Sequence, residues 1–150
     1  MHIGKSAVLG YLAIQSFAWA AADPRSISVC EALTHRAELN GKEIALQGVV
    51  ELSDHGEWIR GEECSSPIVL DGIKWSAAVY LHNSSGEKTG TKIVVLGQFQ
   101  TRVPFLPYQR EGKTHGDGFG PFGDSPAQLV FKKTLKREAV ARKDSKAEKR

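Results

Sequence analysis

A chain of 150 residues with 41% hydrophobic side chains can bury one core, and its length favours one domain over two. The net charge of +3 conceals an asymmetry, because residues 132–150 contain nine Lys/Arg against three Asp/Glu, whereas residues 23–131 contain ten against fourteen. The two cysteines are 34 positions apart, which excludes a four-cysteine zinc site and a C-x-x-C redox centre.

The first segment has the pattern of a secretory signal peptide. Lys5 supplies a positive charge, residues 6–19 are uncharged and mostly apolar, and small residues follow. We predict a signal over residues 1–20, with cleavage after Ala20 or Ala22. An uncleaved membrane anchor needs about 20 apolar residues, and this run is shorter and interrupted by Gln15. No later segment is long and apolar enough to span a membrane, so no span is predicted in the mature chain. The expected location is therefore periplasmic or secreted.

The cysteines fit an exported protein. Cys30 and Cys64 are predicted to form a disulfide, because thiols oxidise outside the cytosol. The bridge would contribute about 3 to 4 kcal/mol by restricting the unfolded chain.

A helix is predicted next in the chain. Ser28 and Glu31 have the spacing of a capping box, and apolar residues recur at helical spacing until Asn40-Gly41. We predict one helix over about residues 29–39, with Cys30 in its first turn.

Several later segments have the alternation of half-buried strands. Residues 42–51 alternate around Gly48, which predicts a bulge or bend, and residues 91–102 alternate around Gly97. Shorter strands are predicted over residues 57–60, 67–70, 76–82 and 127–135. The predicted core is Val29, Leu33, Ile44, Leu46, Val50, Ile59, Val69, Val79, Ile93, Val95, Phe99, Leu129 and Phe131.

Two regions do not follow this alternation. Residues 103–126 are rich in Gly and Pro and are expected to be a long irregular loop, of the kind that is usually functional or mobile. Residues 136–150 have almost nothing to bury and are predicted to be a basic disordered tail.

These elements predict a mostly β fold over residues 23–135. It would be a small OB-like barrel or a bent antiparallel sheet of five to six strands, with one N-terminal helix. Residues 40–50 (NGKEIALQGVV) and 92–99 (KIVVLGQF) resemble strands of small OB-fold-like domains in exported bacterial proteins. The resemblance implies a barrel of about five strands whose face and loops bind a ligand, and it implies no catalytic residue and no cofactor.

Aromatic and basic side chains occur together in and beside the long loop. They could form a stacking surface with adjacent charge, or they could simply pack the core and the loop. The candidate ligand-binding residues are Trp58, Arg102, Phe105, Tyr108, Arg110 and Phe119.

An enzyme is the main alternative. Asp54, His55, His82, His115 and Asp117 include imidazole and carboxylate neighbours that could act as acid and base or bind a metal. The sequence contains no H-E-x-x-H motif and no G-x-S-x-G motif, so we assign no catalytic residue, no metal ligand and no cofactor.

We therefore expect an exported, non-enzymatic binding or envelope-accessory module of unknown ligand. One alternative is a metal-dependent or His/Asp-based hydrolase. The other is an interaction of the basic tail with an anionic polymer of the envelope or a membrane surface. An exported location argues against nucleic acid as the partner.

Overall fold

A computed structural model describes residues 24–138 of the chain. This part is mostly β, which confirms that much of the predicted fold class. The helices are α1 Val29–Thr34 and α2 Arg36–Leu39. The strands are β1 Ser26–Ser28, β2 Glu43–Ser53, β3 Gly56–Arg60, β4 Ile68–Leu70, β5 Ile73–Trp75, β6 Ala78–His82, β7 Lys92–Thr101, β8 Pro107–Arg110, β9 Lys113–Gly116 and β10 Ala127–Glu138.

The predicted single helix is divided in two. The Ser28 hydroxyl accepts a hydrogen bond from the Glu31 N–H at 3.1 Å, so the N-terminal cap forms as predicted. At His35 the backbone leaves helical geometry (φ −100°, ψ 24°), so α1 ends at Thr34 and α2 begins at Arg36. Neither helix within residues 24–138 is long and apolar enough to cross a membrane.

Six strands form one mixed sheet in the order β1-β2-β3-β6-β10-β7. In addition β2 pairs with β7, so the pairings β2-β3-β6-β10-β7 return to β2. The pairs β1–β2 and β6–β10 are parallel and the others are antiparallel. The sheet is therefore not the wholly antiparallel one given as an alternative.

The bend in β2 occurs where the strand changes partner. Residues 43–49 pair with β7, and residues 49–53 pair with β3. A Cβ atom on Gly48 would lie 2.5 Å from Ile59 Cγ2 and 2.6 Å from the Arg60 carbonyl oxygen. Only glycine fits here without a shift of the neighbouring backbone.

The core largely follows the predicted alternation. The prediction that Val69 belongs to the core is wrong. Val69 is the middle residue of β4, and its side chain is 57% exposed and points away from the core. Phe131 is partly buried against the core. The sequence prediction left out several core residues, namely Ala32, Leu70, Ile73, Trp75, Leu81, Phe105 and Ala127.

The predicted disulfide joins Cys30 in α1 to Cys64 in the loop after β3, with 5.5 Å between their Cα atoms. The expected long loop contains a hairpin, β8–β9, closed by Glu111 and Gly112 at φ of 50° and 71°. Strand β10 continues through residues 136–138, so the predicted tail does not begin at residue 136. The rest of that tail and the predicted signal peptide lie outside the described residues.

Candidate functional site

A groove with a cavity volume of about 440 Å³ lies on the outer face of β3 and the start of β6. Its size is within the range of small-molecule sites, which are about 300 to 1,000 Å³. The lining residues are Glu51, Ser53, Trp58, Arg60, Ser66, Ser76, Ala77, Ala78, Phe122, Asp124 and Ser125.

The alternation of β3 places its side chains on two faces. Glu57 and Ile59 are buried, whereas Trp58 and Arg60 lie on the outer face and line the groove. Trp58 packs edge to face against Tyr80 of β6, with 5.5 Å between ring centroids. The aromatic wall of the groove is thus supported by the neighbouring strand.

A tight turn over residues 119–125, here called the aromatic turn, contributes Phe122, Asp124 and Ser125 to the lining. The Phe119 N–H donates to the Ser125 carbonyl at 2.7 Å, and the Ser125 N–H donates back to Phe119 at 3.1 Å. The Ser125 hydroxyl accepts from the Tyr80 N–H at 3.1 Å and donates to the Ala127 carbonyl at 2.8 Å. These bonds fix the base of the turn to β6 and β10.

Phe122 lies at the tip of the aromatic turn and is 58% exposed. Its ring contacts His55 in the β2–β3 turn edge to face, with 4.8 Å between ring centroids. The two turns that flank the groove therefore touch each other.

The charges that line the groove are unequal. Arg60 Nε lies 3.4 Å from Glu51 Oε2, so the lining guanidinium already faces a carboxylate. Asp124 also lines the groove, and it forms no ion pair with any residue in the range 24–138. The lining therefore contains two carboxylates and one guanidinium.

Of the predicted ligand residues, Trp58 lines the groove, and Arg102 and Phe119 lie beside each other. Arg102 Nε donates to the Asp117 carbonyl oxygen at 2.7 Å, and its guanidinium lies 5.1 Å from the centroid of the Phe119 ring. Phe119 belongs to the aromatic turn, so this stacked pair supports the turn from outside the groove.

Phe105, another predicted ligand residue, is only 3% exposed and belongs to the core. Its ring packs on Trp75 with 4.5 Å between centroids, and the Arg36 guanidinium lies 5.3 Å from its centroid. The Phe105 N–H donates to Asp71 Oδ2 at 3.1 Å. This bond, together with the hydrogen bond from Arg36, lowers the pKa of Asp71 below its ordinary value of 3.8.

Tyr108 and Arg110 are exposed on β8 and do not line the groove. Tyr108 stacks on His115 of β9, with 5.5 Å between ring centroids. These two predicted residues therefore form a separate surface on the β8–β9 hairpin.

The residues of the enzyme alternative are dispersed. His115 lies against Tyr108, Asp117 contacts Arg102, and His55 contacts Phe122. None of the five residues is among those that line the groove. Between residues 24 and 138, no group of three or more His, Cys, Asp or Glu is arranged to hold a metal ion.

Sequence analysis missed Phe122 and Asp124 as site residues. The available signal was an aromatic residue between Pro121 and Gly123, which a loop has little reason to contain unless the ring packs or binds. Arg60 and Glu51 carry no comparable signal, because charged residues at strand ends are ordinary.

No family model matches this chain, and neither the curated proteins nor the solved structures provide a significant match.

Proposed function

We propose that this protein is an exported, non-enzymatic binding module with an OB-like barrel, whose ligand occupies the groove between Trp58 and the aromatic turn. The single observation that carries the proposal is this groove, whose lining includes the exposed Phe122 ring and the Trp58 ring that packs on Tyr80. Exposed aromatic side chains in a concave site bind ligands by stacking and by burial of apolar surface.

The strand pairings support the OB-like assignment. In OB folds a five-stranded Greek-key barrel binds ligands on one face and its adjoining loops. Here the circuit β2-β3-β6-β10-β7 contains five strands and one parallel pair, β6–β10. The groove lies on the face of β3 and β6, beside the β2–β3 turn and the loop between β7 and β10. The same circuit makes a barrel the better of the two architectures that the sequence allows.

The disulfide supports the exported location. A bridge between Cys30 and Cys64 persists where thiols oxidise, and it is rare in the reducing cytosol. Signal cleavage before the described domain is part of this proposal, and it is checked by the N-terminal mass of protein recovered from the exported fraction.

The binding role is tested by NMR titration of the ¹⁵N-labelled protein with a defined panel of neutral oligosaccharides, acidic peptides and basic peptides. We expect at least one member to shift the amides of residues 58–60 and 119–125. The shifts should be lost in Phe122→Ala and retained in Tyr108→Ala, which removes a similarly exposed ring on the β8–β9 hairpin.

Two outcomes would contradict the proposal. A panel that leaves the groove amides unmoved would remove the groove as a ligand site. Loss of binding in Tyr108→Ala but not in Phe122→Ala would instead place the ligand on the β8–β9 hairpin.

A further inference from the structure

We infer that the groove binds a cationic group on an apolar stem, namely the side chain of an arginine or lysine in a basic peptide. This inference rests on the proposed binding function and specifies its ligand. It follows from the aromatic walls of the groove together with the carboxylate of Asp124.

The aromatic walls suit a cation. Trp58 and Phe122 line the groove from β3 and from the aromatic turn, and ring faces attract ammonium and guanidinium groups. Trp is the strongest of the aromatic side chains in this interaction. The methylene stem of arginine or lysine can pack on the same rings while its charged head remains partly hydrated.

The Asp124 carboxylate favours a positively charged ligand. Asp124 lines the groove and has no ion-pair partner among the described residues. Its Oδ1 would lie 3.9 Å from a Cβ atom on Gly120, and the Tyr80 ring would lie 3.4 Å from the same point. The Asp124 carboxylate and the Tyr80 ring, on which Trp58 packs, are therefore both neighbours of Gly120 in the aromatic turn.

An anionic ligand is disfavoured by the same geometry. The lining cation, Arg60, already lies 3.4 Å from Glu51. An incoming phosphate or carboxylate would have to compete with Glu51 for Arg60 and would also meet the charge of Asp124. Such like-charge contacts oppose binding, so they favour basic over acidic partners.

The acidic residues around the groove add little to this preference. Residues 51–64 contain the acidic residues Glu51, Asp54, Glu57, Glu62 and Glu63, and a single arginine. Glu57 is buried and accepts hydrogen bonds from Ser84 and Ser85, and Glu62 pairs with Lys92 at 3.0 Å. Asp54 is exposed on the turn that flanks the groove. Glu62 and Glu63 line a separate pocket, so the selection of a cation rests on Asp124 within the lining and not on the charge of the rim.

The inference is tested with N-acetyl-arginine amide and with N-acetyl-citrulline amide, which has nearly the same shape without the charge. NMR titration of the ¹⁵N-labelled protein should show that the arginine probe binds at least about fivefold more tightly, with shifts at residues 58–60 and 119–125. Asp124→Asn should weaken the arginine probe about five- to tenfold and leave the citrulline probe unchanged.

Asp54→Asn is the matched control, because it removes the same charge from a turn outside the lining. It should change the affinity for the arginine probe less than twofold. Equal weakening by both substitutions would mean a diffuse electrostatic attraction and would overturn the inference.

The remaining outcomes separate this inference from the proposed function. If the citrulline probe or an acidic peptide binds the groove as tightly as the arginine probe, the cation inference fails while the binding function stands. If no probe and no member of the wider panel shifts the groove amides, both fail.

Discussion

Arg36 and Asp71 connect the second helix to the β4–β5 turn through a hydrogen bond of 2.7 Å between Arg36 Nη2 and Asp71 Oδ2. The same carboxylate oxygen accepts the Phe105 N–H at 3.1 Å. One carboxylate therefore joins three segments that are distant in sequence, and its charge contributes to the stability of the fold.

Asp71→Asn should lower the free energy of unfolding at neutral pH by about 1 kcal/mol, because it weakens two charge-assisted hydrogen bonds at a partly screened site. The pKa of Asp71 is lowered in the folded state, so its contribution is complete above the ordinary value of 3.8. The contribution is lost as the pH falls through the lower folded pKa. Urea unfolding from pH 7 to pH 2 should show the two proteins converging only in strong acid.

Asp54→Asn serves as the control for this series, since Asp54 is exposed on the β2–β3 turn. A constant difference between Asp71→Asn and the wild type at every pH would show that the side-chain shape, and not the charge, stabilises this junction.

The contact between His55 and Phe122 predicts a local effect on the aromatic turn. Both residues are exposed, so His55→Ala should change the free energy of unfolding by less than about 0.5 kcal/mol. Hydrogen exchange at the Gly123 amide, which donates to the Gly120 carbonyl at 3.2 Å, should become faster because the tip of the turn loses its neighbour. His82→Ala is the control, and similar exchange rates in the two variants would mean that the contact does not hold the turn.

The strands of the fold were largely predictable because alternation reports burial directly. Leu46 and Val50 in β2, and Val95 and Phe99 in β7, are buried as the pattern requires. Val69 was predicted to be buried and is exposed, because a three-residue strand is too short for alternation to distinguish its inner face from its outer face. The two parallel pairings could not be predicted, since a pattern along one strand carries no information about its neighbour.

The candidate site was less predictable for a related reason. Trp58 lies on the face of β3 opposite Ile59, as strand alternation requires, but the other aromatic residue of the lining is 64 residues later in the chain, at Phe122. Phe105 has the same kind of sequence context as Phe122, yet its ring is buried. Phe105 is buried because its ring packs on Trp75, and this tertiary contact cannot be predicted from the local sequence.

The close packing at Gly48 predicts a large steric effect. Gly48→Ala should destabilise the protein by about 3 kcal/mol or more, because the added methyl would meet the Arg60 carbonyl as well as Ile59. Gly41→Ala is the comparison, since Gly41 has open space around it and a φ of +81°, so its cost is conformational and about 1 kcal/mol. Chemical unfolding of both variants measures the difference, and equal losses would show that β2 can move away from β3 at the bend.

The disulfide should contribute most of its stability through the unfolded chain. Cys30 and Cys64 close a loop of 34 residues, so the double substitution Cys30→Ala with Cys64→Ala should cost about 4 kcal/mol. Because α1 begins with its own Ser28 cap, we expect the folded double variant to retain the helix and the strand pairings. Reduced wild-type protein should unfold at nearly the same urea concentration as the double variant. A loss below about 1 kcal/mol would instead mean that the reduced, unfolded chain already keeps α1 close to the loop after β3, so that the bridge removes little of its freedom.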